Sequence, residues 1–201
     1  MAEGVPRADD RDSEAFHDEN AYGLLISWYD AEETEYAQSS DKFPPRLIVL
    51  RAAIDDYLAS FPAGEAMSCF DFGTTFYFEI GDGDQSEDLI GWMRSMRALL
   101  AQGDWRTFAV VTYGGRWVAN GEPPSRETGK VRLMVAHGPS EPMRRAMAAE
   151  GRSHDDEEAG EEGWGPGLFV DLEALEAMGR KLKNQPTTVR AGGTDFVRVS
   201  A

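Results

Sequence analysis

The chain has 201 residues, of which 20 are basic and 36 are acidic, so its formal net charge at pH 7 is −16. This charge argues against a protein that grips nucleic acid over its whole surface, and direct nucleic-acid binding is therefore not expected. Hydrophobic residues make up 41% of the chain and glycine adds 21 residues, which excludes a wholly disordered protein.

The predicted elements begin with a strand over Tyr22–Tyr29, which is rich in β-favouring residues. Pro44–Pro45 then favour a helix start, and apolar residues at three- and four-residue steps up to Phe61 predict a core-facing helix. The alternation of apolar and polar residues over Phe70–Ile80 predicts one long strand, in which Gly73 permits a bend or a bulge.

A second core-facing helix is predicted to follow, capped by Ser86 and ended by Gly103, with Arg94 and Arg97 on its solvent side. A β-hairpin is predicted next, because Gly114–Gly115 is a favoured two-residue turn between β-favouring stretches. The strands of this hairpin are predicted over Thr107–Tyr113 and Arg116–Ala119.

Another strand is predicted over Val131–His137, and a helix over Glu141–Glu150 with Ser140 as its cap. After an acidic stretch, the chain regains order with a brief strand over Leu168–Val170.

The C-terminal elements are a helix and a hairpin. Asp171 is placed to cap a helix that runs to about Lys183, and Gly192–Gly193 form the turn of a hairpin over Thr187–Val199. Because helices alternate with strands while at least two hairpins are present, we predict an α+β fold. Its sheet is expected to be mixed or mostly antiparallel and to pack against three or four amphipathic helices.

The negative charge is concentrated in two stretches of the chain. Residues 1–35 carry eleven acidic side chains and two arginines, and residues 153–162 carry six acidic side chains and no lysine or arginine. The rest of the chain is almost balanced in charge, so that its surface mixes both signs.

These stretches suggest a domain organisation. We predict an acidic mobile tail over residues 1–20 and an acidic, glycine-rich loop or linker over residues 151–167, because neither buries enough apolar surface to offset the entropy of ordering. The main domain then covers residues 21–150, and a strand-helix-hairpin element over residues 168–201 is expected to pack on it.

The cellular location is inferred from what the sequence lacks. Cys69 is the single cysteine and cannot form a disulfide within the chain, which is typical of a reducing compartment. The N-terminal residues have no apolar core of a secretion signal, and no stretch approaches the roughly 18 apolar residues of a membrane span. We therefore expect a cytoplasmic protein with no membrane contact.

No motif indicates a catalytic, cofactor or metal site. The segment Gly81–Ser86 joins a strand to a helix as a phosphate-binding loop does, but its acidic residues would repel phosphate. The three histidines lie in different regions, away from the single cysteine, and form no zinc-binding spacing. We therefore predict no catalytic residue, no cofactor and no metal ligand.

Aromatic residues interrupt both acidic stretches, a pattern that favours binding to a basic protein partner. Aromatic side chains supply contact energy, and negative charge speeds the encounter. The predicted partner-binding residues are Trp28, Tyr29, Asp30, Glu32, Glu33, Glu35, Asp155, Asp156, Glu157, Glu158 and Trp164. On this basis we predict a non-catalytic protein-binding module of the inhibitor, immunity-protein or nucleic-acid-mimic kind.

Several alternatives stay open. The acidic residues can serve solubility alone while the aromatic residues belong to the core. A small-ligand domain or an enzyme is a second alternative, with a dispersed site near His137 that includes Tyr113 and an arginine such as Arg116 or Arg132. The last is a structural or assembly subunit, with which a homo-oligomer is compatible.

Overall fold

The structure is a computed structural model that describes residues 16–29, 45–60, 66–71, 75–82, 89–100, 106–119, 139–159, 164–179 and 188–199. These residues form seven strands and four helices. In chain order the elements are β1 (Phe16–Tyr29), α1 (Pro45–Ala59), β2 (Ala66–Asp71), β3 (Thr75–Gly81), α2 (Leu89–Leu100), β4 (Arg106–Ala119), α3 (Glu141–Ala159), β5 (Gly167–Asp171), α4 (Leu172–Ala177), β6 (Thr188–Ala191) and β7 (Thr194–Val199).

The seven strands form one sheet in the order β2-β3-β1-β4-β5-β7-β6. Only β4 and β5 pair in parallel, and every other neighbouring pair is antiparallel. The first four strands form two interleaved βαβ units, since β3 lies between β1 and β2 while β1 lies between β3 and β4. The predicted α+β class with a mixed sheet is confirmed.

The sheet is buried on both faces, as β3 illustrates. Phe76, Phe78 and Ile80 contribute to one apolar cluster, whereas Tyr77 between them contributes to another. Residues of α1, α2 and α4 complete the first cluster, and residues of α3 complete the second. Because alternate side chains of a strand point to opposite faces, helices on both sides bury nearly the whole strand.

The predicted hairpin at Gly114–Gly115 is wrong. The strand β4 runs unbroken through these glycines and pairs with β1 over its full length, from Phe16 opposite Ala119 to Tyr29 opposite Arg106. The glycine at 114 serves close packing, because a Cβ atom there would lie 2.8 Å from the Glu141 carboxylate. Residues 16–20, predicted as part of a mobile tail, form the start of β1.

The predicted single strand over Phe70–Ile80 is also wrong, since it forms parts of two strands. β2 and β3 pair antiparallel, and Asp71 lies opposite Phe76. Gly73 lies between them, outside the described residues. Both strands continue the same alternation of residue types, so the pattern alone did not reveal the break.

The helices α1 and α2 lie where they were predicted. α3 begins at Glu141 as predicted but continues to Ala159, so it includes much of the acidic stretch that was expected to form a loop. None of the helices that the structure describes combines the length and the apolar character needed to cross a membrane.

The C-terminal elements confirm the predicted hairpin. Gly192 and Gly193 adopt φ values of 56° and 87°, which a two-residue turn of this kind requires. The helix α4, capped by Asp171, is shorter than predicted, because Gly179 at φ 65° follows it closely. The strand predicted over Val131–His137 lies outside the described residues.

Candidate functional site

Polar side chains gather at two opposite ends of the sheet. We call them the Ser27 end, where β1 approaches its last residue and β4 and β5 begin, and the Asp171 end, where β5 finishes. α3 spans the sheet between the two ends, since Glu141 contacts β4 at the Asp171 end and Glu150 bonds to Thr75 at the Ser27 end.

Asp171 is the buried centre of the Asp171 end. Its Oδ1 accepts a hydrogen bond from the backbone N–H of Ala174, which caps α4. Its Oδ2 accepts from the backbone N–H of Tyr113 at 2.9 Å and lies 3.4 Å from Nη1 of Arg145. Burial raises the pKa of Asp171 more than these partners lower it.

Arg145 ties α3 to this carboxylate and to two more. Its Nη2 donates to Glu141 at 2.6 Å, and its Nη1 donates to Glu173 at 2.8 Å. Burial opposes the charge, but the hydrogen bonds to Glu173 and Glu141 raise the pKa of Arg145 overall. Burial alone would raise the pKa of Glu141. The hydrogen bonds from Arg145 and from the backbone N–H of Gly115 outweigh this effect, so that the pKa of Glu141 is lowered. The cluster is therefore paired within itself and joins β4, β5, α3 and α4.

A second buried carboxylate, Glu79, is bonded by hydroxyl groups. The Tyr77 hydroxyl donates to its Oε1 at 2.9 Å, and the Ser140 hydroxyl donates to the same oxygen. Ser140 also accepts a hydrogen bond from the backbone N–H of Met143 at 3.2 Å, which confirms its predicted role as the cap of α3. Ser140 thus fixes the start of α3 to β3.

Replacing Ser140 with alanine removes both bonds, and we expect the free energy of unfolding to fall by about 1–2 kcal/mol. Urea unfolding followed by circular dichroism measures the change. Ser95→Ala is the matched control, because the exposed Ser95 hydroxyl bonds only within α2 and alanine is the better helix former. Equal stabilities of the two variants would contradict this role of Ser140.

Two residues of the predicted dispersed site are engaged with carboxylates. The Tyr113 hydroxyl donates to Asp82 at 2.6 Å. Burial raises the pKa of Tyr113, and the hydrogen bond to Asp82 raises it further. Arg116 is buried and donates from Nε to Glu19 at 2.7 Å. The other two residues of that site, His137 and Arg132, lie outside the described residues.

The Ser27 end also contains a buried polar group for which the described residues offer no hydrogen-bond partner. Ser27 is 2% exposed, and its hydroxyl makes no hydrogen bond within the part of the chain that the structure describes. On either side of it in the sheet lie Thr75 and Phe108. On the opposite face of the sheet, near the end of α2, Nε of Arg97 is also buried without a partner among the described residues. Arg97 was predicted to face solvent but is partly buried.

The predicted partner-binding residues fall in several places. Trp28 and Tyr29 end β1, where they pair with Thr107 and Arg106, and the run Asp155–Glu158 lies in α3. The remaining acidic residues of that set lie outside the described ranges: Asp30, Glu32, Glu33 and Glu35.

Trp164 lies in the apolar cluster under α3. Its ring centroid is 4.9 Å from that of Phe169, 5.6 Å from that of Phe196 and 6.3 Å from that of Phe108. This packing agrees with the alternative in which the aromatic residues belong to the core.

Across the described ranges, no three His, Cys, Asp or Glu side chains lie close enough together to hold a metal ion.

No protein-family model matches the chain, and no curated protein resembles it significantly in sequence. Its fold is nevertheless similar to solved nucleotide cyclases. The adenylyl cyclase CyaB from P. aeruginosa has a TM-score of 0.52 and 9% identity, over 92% of this chain and 96% of that chain. A double-mutant guanylyl cyclase domain of the RhoGC fusion protein from the aquatic fungus Blastocladiella emersonii has a TM-score of 0.50 and 7% identity, over 92% and 99% of the chains.

These likenesses correct the functional prediction. A non-catalytic module of the inhibitor, immunity-protein or nucleic-acid-mimic kind, aimed at a basic partner, is wrong, because the fold that the chain shares is that of nucleotide cyclase domains. The prediction was misled by charged segments, which influence solubility and encounter rates but do not specify a fold. The chain therefore has the α+β fold of the nucleotide cyclase domains.

Proposed function

We propose that this chain is a nucleotide-binding domain whose ligand is a purine nucleoside triphosphate. The observation that carries the proposal is the extent of the fold likeness, which covers 92% of this chain and 96% of CyaB. The similarity thus extends over the whole domain. The two proteins compared above are an adenylyl and a guanylyl cyclase, and both names refer to purine nucleotides.

The Ser27 end supports a ligand at that place. Buried polar atoms without a partner are rare in native proteins, and each costs about 1–3 kcal/mol unless water, an ion or a ligand satisfies it. The Ser27 hydroxyl is one such atom on the face of the sheet that α3 covers, and Nε of Arg97 is another on the opposite face, where α2 packs. At the Asp171 end, Arg145 and its three carboxylates satisfy one another.

The proposal concerns binding and assigns no chemical step. Nucleoside triphosphates commonly bind with Mg²⁺ held by carboxylates. Such an ion takes one or two carboxylates of the protein together with the phosphates of the nucleotide as its ligands, so binding is tested in the presence of Mg²⁺. Cytoplasmic location and a homo-oligomer both stay predictions.

Isothermal titration calorimetry with ATP, GTP, CTP and UTP in the presence of Mg²⁺ tests the proposal. We expect at least one purine triphosphate to bind more tightly than both pyrimidine triphosphates, and the corresponding nucleoside to bind more weakly than its triphosphate. A folded protein that binds none of the four at millimolar concentration would contradict the proposal.

A further inference from the structure

The helix α3 turns one side to the sheet and the other side to solvent. The side chains on its inner side are buried in the apolar cluster of the sheet: Met143, Ala146 and Ala149. On its outer side, Arg144, Met147 and Gly151 are exposed. Met147 is 47% exposed and is one of the large apolar side chains that the structure leaves in contact with solvent. The outer side of α3 thus combines an apolar side chain with a charged one.

Charge is segregated along α3. Arg144 lies in its first half, whereas the run Asp155–Glu158 brings four acidic residues to its C-terminal end. By the 3.6-residue period of a helix, positions 155 and 158 continue the line through positions 144, 147 and 151. The line therefore changes from positive near the start of α3 to negative near its end.

The acidic end of α3 is electrostatically unfavourable for the helix alone. The C-terminal end of a helix carries a partial negative charge, which disfavours acidic residues and favours basic ones. The last turn of α3 contains acidic residues and no basic one. A positive charge supplied by another molecule therefore stabilises this end.

Gly151 marks the midpoint of the line. Arg144 stands seven residues before it and Glu158 seven residues after it, which is about 10 Å along the helix in either direction. An added Cβ atom at Gly151 would have no neighbour within 4 Å, so packing within the described chain does not require a glycine there. A position without a side chain lets a second backbone approach closely.

We propose that a second copy of this chain docks on the outer side of α3, with the two α3 helices antiparallel and crossing at Gly151. A two-fold axis at this point places Arg144 of one copy opposite Glu158 of the other, and the same contact occurs twice. Met147 of each copy adds apolar contact, and antiparallel helices set opposite dipole ends side by side. This step does not rest on the proposed function, since no nucleotide takes part in it.

Sedimentation velocity of the full chain, over micromolar to millimolar concentrations, tests the interface. One helix row is a small interface, so we expect a weak dimer whose population rises with concentration. Arg144→Glu should weaken the dimer by about tenfold or more, because it places like charges opposite each other. Arg94→Glu is the matched control, because Arg94 is exposed on α2, and its dimer affinity should stay within about twofold of the unmodified chain.

A charge swap separates a lost contact from a lost fold. The double variant Asp155→Lys, Glu158→Lys should also fail to form a dimer with itself, since its lysines face Arg144. Mixed with Arg144→Glu, it should form a mixed dimer, because both contacts then join opposite charges. The helix dipole favours a glutamate near the start of α3 and lysines at its end, so both variants should keep their helix content in circular dichroism.

Three results would overturn the interface. The first is an unmodified chain that stays monomeric over the whole concentration range. The second is an Arg144→Glu variant that forms a dimer as tightly as the unmodified chain, which would place the dimer contact elsewhere. The third is a mixture of the two oppositely charged variants in which no mixed dimer forms.

Discussion

Replacing Asp171 with alanine is expected to lower the free energy of unfolding by about 3–5 kcal/mol. The carboxylate is fully buried, caps α4 and accepts the backbone N–H of Tyr113. Its removal leaves that N–H without an acceptor and takes from Arg145 the most deeply buried of its three acidic partners. Urea unfolding followed by circular dichroism measures the loss.

Two further variants sharpen this prediction. Asp195→Ala is the control, because Asp195 forms an exposed ion pair with Arg190 at 3.6 Å, with exposed fractions of 45% and 70%. Its free energy of unfolding should change by no more than about 0.5 kcal/mol. Asp171→Asn should lower the free energy of unfolding less than Asp171→Ala, because the amide oxygen of asparagine still accepts a hydrogen bond. Asparagine also removes the buried negative charge, whose burial raises the pKa of Asp171. If Asp171→Ala lowers the free energy of unfolding no more than the control does, the predicted stabilising role of the Asp171 end is contradicted.

Replacing Gly23 with alanine is expected to lower the free energy of unfolding by about 3 kcal/mol, through overpacking. Gly23 lies in the middle of β1, between β3 and β4. An added Cβ atom would lie 2.7 Å from Cβ of Pro142, 2.7 Å from Oγ1 of Thr112 and still closer to the Tyr77 hydroxyl. These groups cannot retreat easily, because the Thr112 hydroxyl bonds to the Pro142 carbonyl at 2.9 Å and Tyr77 bonds to Glu79 at 2.9 Å.

For Gly151→Ala we expect the opposite change in stability. Gly151 is exposed in α3, and an added Cβ atom would have no neighbour within 4 Å. Because alanine is the better helix former, this variant should gain about 0.5–1 kcal/mol. Thermal unfolding of both variants measures the two changes in stability. A Gly23→Ala variant as stable as the unmodified chain would contradict the close packing of α3 on β1.

Much of the fold was predictable because local chemistry agrees with the tertiary structure. Ser140 and Asp171 were recognised as helix caps, and each caps a helix in the structure. Gly192–Gly193 were predicted to form a turn, and both glycines have the positive φ values that this turn requires. The pair Gly114–Gly115 carries the same local signal as Gly192–Gly193, yet it remains in a strand because β1 continues beside it and Glu141 fills the space above it.

The candidate site was not predictable, because its residues come together only through tertiary structure. Ser27 and Thr75 lie far apart in the chain and side by side in the sheet, and nothing in the local sequence distinguishes Ser27 from an exposed serine. The burial of Glu79 was hidden in a similar way. Alternation along β3 placed it on a polar face, but α3 covers that face and Ser140 bonds to its carboxylate.

A crystal structure of the chain grown with a non-hydrolysable purine nucleoside triphosphate tests the account most directly. We expect the nucleotide to lie at the Ser27 end of the sheet. A nucleotide bound at the Asp171 end, or a crystal with no bound nucleotide at saturating concentration, would contradict the account.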